Sequence, residues 1–346
     1  MVREREREKT LDLVKGIAII LVVFGHGLQY SFGQAYLESG LFFSDVAFRA
    51  IYSFHMPLFM MVSGFLFFSS NNKRDFRSLA ASKAKGIGIP MVSFISAANA
   101  KAYLANVMQG DITGAAAGLL DEILHGTTML FLSSLLMNML AVAVTTRLLR
   151  NKAARYATLV SISVCGMLVP DHIVPDIHKS MFPFFLIGYA AKENGLDIYK
   201  GSRNMAAMAA LAACSAAAIS LFDYSTYIYT TGFCIIDTPV QQLFTNAKRI
   251  AIGVAVSYTV LQAAHLVSKK CNCKAVAHLG RISLFVYGLN IFTDKAYERI
   301  AAAMGVEIAH NYLTPAIFAA CLLSAACILH NIADKNKVTR LLFLGK

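Results

Sequence analysis

Two histidines set in apolar stretches are the residues best suited to chemistry in this chain. The first closes the run Leu11-Asp12-Leu13-Val14-Lys15-Gly16 through Phe24-Gly25-His26, and the second lies in Phe54-His55-Met56-Pro57, ahead of Ser63-Gly64-Phe65. A free imidazole titrates at about 6.5, so it can take a proton from a hydroxyl at neutral pH. On a helix, Lys15 and His26 share one face at roughly 16 Å along the axis, with Asp12 near that face one turn earlier. One stripe thus carries charge at one end and an imidazole at the other. Ionisable groups are costly in hydrocarbon, which makes each of them a functional candidate. A plainer reading stands beside this one: imidazoles hydrogen-bonded to a neighbouring helix, and Asp12 and Lys15 as interfacial anchors that snorkel to water.

These residues need helices in a bilayer to position them. Of 346 residues, 57% are hydrophobic and 15% charged, with a mean hydropathy of +0.56. Soluble domains carry roughly 25% charged residues. The composition therefore excludes a soluble two-domain enzyme, a disordered chain and a fibrous one. Apolar blocks run approximately over 11–28, 48–68, 86–108, 127–149, 156–169, 181–191, 205–222, 247–267, 276–292 and 313–329. Many approach the ~20 residues that cross a bilayer core as a helix. The expected fold is all-α, a polytopic integral membrane helix bundle of about ten transmembrane helices. It forms one domain over 1–346, with a charged N-terminal segment at 1–10 and a basic tail at 331–346. The first block is too long for a signal peptide, and no small-x-small cleavage site follows it.

The net charge of +12 sits in short clusters between apolar blocks. That distribution is orientation charge rather than a nucleic-acid surface, and it predicts both termini in the cytoplasm. The second span then starts at the outer face, and His55 lies at a depth comparable to His26. The seven cysteines are scattered, and the lone Cys271-Asn272-Cys273 lacks a second pair for a zinc site. Pro170-Asp171-His172 through Asp176-Ile177-His178 has the residue types of a metal site but reads better as an exposed polar loop, so no metal is expected. Tyr224, Tyr227 and Tyr229 suit sugar binding and equally suit an interfacial aromatic belt. Intramembrane Lys15, His26, Arg49 and His55 also fit a transporter of a small solute or a proton-coupled substrate, although the repeated halves common in transporters are not visible.

Leu11-Asp12-x-x-Lys15-Gly16 with Gly25-His26, followed by Phe54-His55-Met56-Pro57 and Ser63-Gly64-Phe65, resembles the membrane-bound acyltransferase family 3, and most closely its fucose 4-O-acetylase-like branch. Phe182-Pro183-Phe184-Phe185 through Gly188-Tyr189 and Leu279-Gly280-Arg281 through Tyr287 look like its mid-chain and late segments, and Arg7 falls where the family often has Arg. The resemblance implies a multi-pass protein of the bacterial inner membrane. It also implies transfer of an acetyl or short acyl group from cytoplasmic acetyl-CoA, a co-substrate, to a sugar hydroxyl of a glycan.

Under that resemblance His26 is the base or acyl carrier, with Asp12 and Lys15 below it and oxyanion donors among His55, Ser63 and Tyr287. Arg7, Lys15, Lys73, Arg74, Arg77, Lys83 and Lys85 would hold the CoA phosphates, although the basic loop equally serves as positive-inside charge. Asp45 would orient the acceptor or His26. The sequence departs from the family pattern at Gly86 and Asn290, where Arg and His are usual, and in keeping only Leu130-Phe131-Leu132 of a Trp-containing motif.

Overall fold

A computed structural model describes residues 2–31, 41–126, 129–292 and 312–346, without the side chains of 2–8, 30–31, 41–42 and 203. The described residues form helices and connecting turns, with no strand among them. Among the described residues five helices are long and apolar enough to cross a membrane: Lys9–Gln29, Val46–Lys73, Leu130–Leu148, Pro239–Lys270 and Leu313–Ala333. The remaining apolar blocks fold as shorter or interrupted helices.

The chain begins with α1 (Val2–Ser31) and α2 (Val46–Lys73). The alternating charges at the N-terminus therefore form the first turns of α1 rather than a separate tail. Next come α3 (Phe76–Lys83), a π-helical turn (Ala84–Gly88), α4 (Ile89–Ala98), α5 (Ala100–Met108) and α6 (Ile112–Leu124). Helices α7 (Leu130–Leu148), α8 (Lys152–Gly166), α9 (Asp176–Glu193), α10 (Met205–Ser220) and α11 (Pro239–Lys270) follow. The chain closes with α12 (Lys274–Arg281), α13 (Ser283–Asn290), α14 (Leu313–Ala333) and α15 (Lys337–Leu344).

Helices α1 and α2 run antiparallel in the middle of the bundle, and two glycine crossings fix their neighbours. A methyl group on Gly64 of α2 would fall on the Phe185 carbonyl oxygen of α9, and one on Gly188 of α9 would fall on the Met61 carbonyl oxygen of α2. Likewise a methyl on Gly16 of α1 would strike the Val276 carbonyl of α12, and one on Gly280 would strike the Asp12 carbonyl. Backbones approach this closely only where side chains are absent, the small-residue packing typical of membrane helices.

Polar ties also hold the basic end, where α1 begins and α2 stops. Arg147 of α7 donates to the Asn71 side chain (2.5 Å) and to the Arg74 carbonyl (3.0 Å) at the end of α2. Thr10 reaches Ser268 at 2.9 Å, joining the start of α1 to the end of α11. At the C-terminus, α15 folds back so that Phe343 meets Phe94 of α4 with ring centroids 5.1 Å apart.

Candidate active site

Where α1 and α2 meet near their far ends, Gly25 lies against α2: a Cβ there would sit 3.2 Å from both Ile51 and Tyr52. Tyr52 donates its hydroxyl to Gln29 of α1 at 2.8 Å. This contact brings His26 and His55 to one level. Both line a cavity of about 910 Å³, within the size range of small-molecule sites.

The His55 geometry fixes its tautomer. Its Nδ1 lies 2.7 Å from the Ile51 carbonyl oxygen. A carbonyl can only accept, so Nδ1 carries the proton and Nε2 of the neutral ring carries the lone pair. Neutral His55 is therefore a proton acceptor at Nε2. Pro57, two residues on, has no N–H to give the Ser53 carbonyl, and Ser53 and Pro57 both line the cavity.

The other walls come from distant segments. Phe131 of α7 and Tyr287 of α13 meet at an interplanar angle of 58° with centroids 5.8 Å apart. Asn290, at the position where the sequence departs from the family's His, lines the same cavity, as do Arg249 of α11 and the turn holding Tyr224, Tyr227 and Tyr229. Among the described lining residues none is Asp or Glu. Arg249 is buried, and all of its hydrogen-bond partners are uncharged. A single Arg near the start of an apolar block looks like an interfacial anchor until the folded turn that it serves is visible.

The other candidate residues lie elsewhere. Asp12 pairs with Lys15 at 2.8 Å and approaches Arg281 of α12 at 3.7 Å, a charged cluster at the basic end of α1. Ser63 lies about two turns from His55 toward that end and is not among the cavity's lining residues. Asp45 caps α2, accepting from the Phe48 N–H at 2.7 Å and the Tyr312 hydroxyl at 2.8 Å. Lys73, Arg74, Arg77 and Lys85 are exposed at the basic end. Lys83 lies over the Phe67 ring at 5.6 Å, where burial and the nearby Arg74 charge lower its pKa. Arg7 lies outside the residues whose side chains are described.

The segment with metal-site residue types serves as a latch. Lys179 pairs with Asp171 and lies 3.7 Å from Asp176. Asp176 accepts the Phe233 N–H at 2.9 Å, tying the tyrosine-bearing turn to α9. Burial, a hydrogen bond with Asp171 and the Asp171 charge together raise the Asp176 carboxyl from its ordinary 3.8 to about 7. A carboxyl whose pKa rises on folding stabilises the protein less as pH climbs through the interval between the two values. Asp176→Asn, which keeps an acceptor for Phe233, is therefore expected to raise the melting midpoint of the detergent-solubilised protein at pH 8. The advantage should shrink below pH 7 and vanish near pH 4. An equal gain at all pH values would contradict the shared-proton pair.

Comparison with known proteins completes this picture. A family model described as an acyltransferase domain matches residues 8–330. The chain belongs to this acyltransferase family. The match takes in every described residue lining the cavity and leaves α15 outside. The chain is also similar to the nodulation protein NolL of Sinorhizobium fredii, 35% identical over 191 residues, covering 53% of this chain and 48% of that protein. It is 37% identical over 86 residues to the nodulation protein NolL of Mesorhizobium japonicum, covering 25% of this chain and 22% of the relative. The chain thus spans about half of the first relative's length and less of the second. No solved structure matches the chain.

Proposed function

We propose that this membrane acyltransferase moves an acetyl or short acyl group from cytoplasmic acyl-CoA to a sugar hydroxyl of a cell-surface glycan or its lipid-linked precursor, in a bacterial inner membrane. The observation that carries this reading is the placement of His26 and His55 on one cavity, with the Asp12–Lys15 cluster at the other end of the same helix. About ten spans and cytoplasmic termini accompany it. The support for cytoplasmic termini is that Lys73, Arg74, Lys192, Lys269 and Lys270 all lie at helix ends on the side where α1 begins.

In the proposed reaction the acyl-CoA binds from the basic end, its phosphates held by Lys73, Arg74, Arg77, Lys83 and Lys85. The acyl arm reaches past Lys15 toward His26. His26 takes the proton from the acceptor hydroxyl as its oxygen attacks the thioester carbonyl carbon. The oxyanion forms near the Tyr287 hydroxyl, which can donate to it. Collapse of the tetrahedral intermediate breaks the carbon–sulfur bond, and the proton held by His26 goes to the departing thiolate. Neutral His55 presents a lone pair at Nε2, which suits it to accept a proton beside His26 rather than to donate to an oxyanion.

Proteoliposomes supplied with radiolabelled acetyl-CoA and a panel of glycosides test the reading. Label recovered in a glycoside as an alkali-labile ester is the expected result. Uptake of unmodified glycoside without label would transfer the argument to a transporter.

A further inference from the structure

The turn at 223–233 is built with more care than an interfacial belt needs. Asp223 opens it with reciprocal bonds: its carboxylate accepts from the Thr226 N–H at 3.1 Å, and its own N–H donates to the Thr226 hydroxyl at 2.7 Å. Lys248 of α11 holds the same carboxylate at 2.8 Å. From inside, the Arg249 guanidinium reaches the turn at several points. Nε donates to the Thr226 carbonyl at 2.7 Å, and Nη1 donates to the Gly232 carbonyl at 3.1 Å and to Asn246 at 2.7 Å. Nη2 donates to the Thr231 hydroxyl at 3.0 Å and the Ser225 carbonyl at 3.4 Å. A planar fork with four of these five bonds on one short segment, and the fifth on its own helix, fixes that segment's shape.

What the turn presents is aromatic. Tyr227 is buried and meets Tyr52 at 5.7 Å, and Tyr52 in turn stands edge-on to His55 at 4.9 Å. Tyr229 packs against Tyr227 at 5.4 Å yet keeps 59% of its surface accessible, and it lines the cavity. A continuous aromatic path therefore leads from an open ring face to the imidazole level. A pyranose offers a face of polarised C–H groups that stacks on an electron-rich ring, and its hydroxyls need neutral donors and acceptors around the rim.

We propose that the turn at 223–233 is the acceptor subsite, with Tyr229 as the stacking face for a sugar ring and Arg249 as the positioning residue that holds the turn in shape. This rests on the acyl-transfer reading for its chemistry but not for its binding, and the two can fail separately.

The test is a set of acceptor and donor titrations on the full chain in lipid. Tyr229→Ala is expected to raise the acceptor KM by about ten-fold while leaving the acetyl-CoA KM unchanged, and Tyr229→Phe to retain the wild-type value. Arg249→Gln is expected to raise the acceptor KM alone and to speed amide exchange over 224–233, with Arg249→Lys intermediate in both. An unchanged acceptor KM in Tyr229→Ala, or equal damage to both substrates in Arg249→Gln, would overturn the assignment. If no glycoside is turned over by the wild type, saturation-transfer NMR with methyl glycosides still decides. Binding that is lost in Tyr229→Ala upholds the subsite while the chemistry fails, and no binding to wild type overturns the subsite.

Discussion

Gly188→Ala and Gly64→Ala are each expected to abolish recovery of folded protein. In both cases the added methyl meets a backbone carbonyl of the facing helix, so no side-chain rotation can relieve the overlap. Overpacking against movable side chains already costs ~1–3 kcal/mol, and native proteins have only ~5–15 kcal/mol to lose. Here α2 and α9 would have to separate along the crossing that supports one wall of the cavity. Gly86→Ala is the matched control, because a methyl there meets nothing within 4 Å. Size-exclusion profiles and melting midpoints of fluorescent fusions read the difference. A monodisperse Gly188→Ala protein melting with the wild type would show that the crossing is looser than described.

Replacing His26 by Ala is expected to remove at least 100-fold of the acyl-transfer rate, the low end of what a positioned general base contributes. The variant should fold normally, because His26 borders a cavity rather than filling a tight crossing. Its side-chain loss enlarges open space and leaves Gly25 against Ile51 and Tyr52 unchanged. Two readouts separate the outcomes: a normal melting midpoint with lost transfer places the defect in the chemistry, whereas loss of both would make His26 a packing residue.

Much of this arrangement was legible in the sequence because membrane helices have strong local rules. The His26 stripe followed from helical periodicity alone. The levels of His26 and His55 followed from antiparallel succession, which charge asymmetry had indicated. What the sequence concealed was tertiary. Gly16, Gly64, Gly188 and Gly280 stood out only as members of motifs, and nothing local says that Gly64 faces Phe185 or that Gly280 faces Asp12. Those contacts explain the motifs in part as packing rather than chemistry. Asp45 looked like an acceptor ligand because it stands before the second span, and the same position makes it the cap of α2. Arg249 was concealed for the converse reason: its partners are mostly backbone carbonyls, which leave no signature in side-chain spacing. The long apolar blocks at 86–108 and 276–292 hid breaks, one at Asn99 between α4 and α5 and one at Ile282 between α12 and α13. Hydropathy averages over such interruptions.

The central claim is that the His26 cavity performs acyl transfer, and thiol release from acetyl-CoA measures it most directly. Purified protein in lipid should release CoA thiol only when a sugar acceptor is present, and His26→Ala should release none above background. Release that is independent of any acceptor, or that survives unchanged in His26→Ala, would contradict the account.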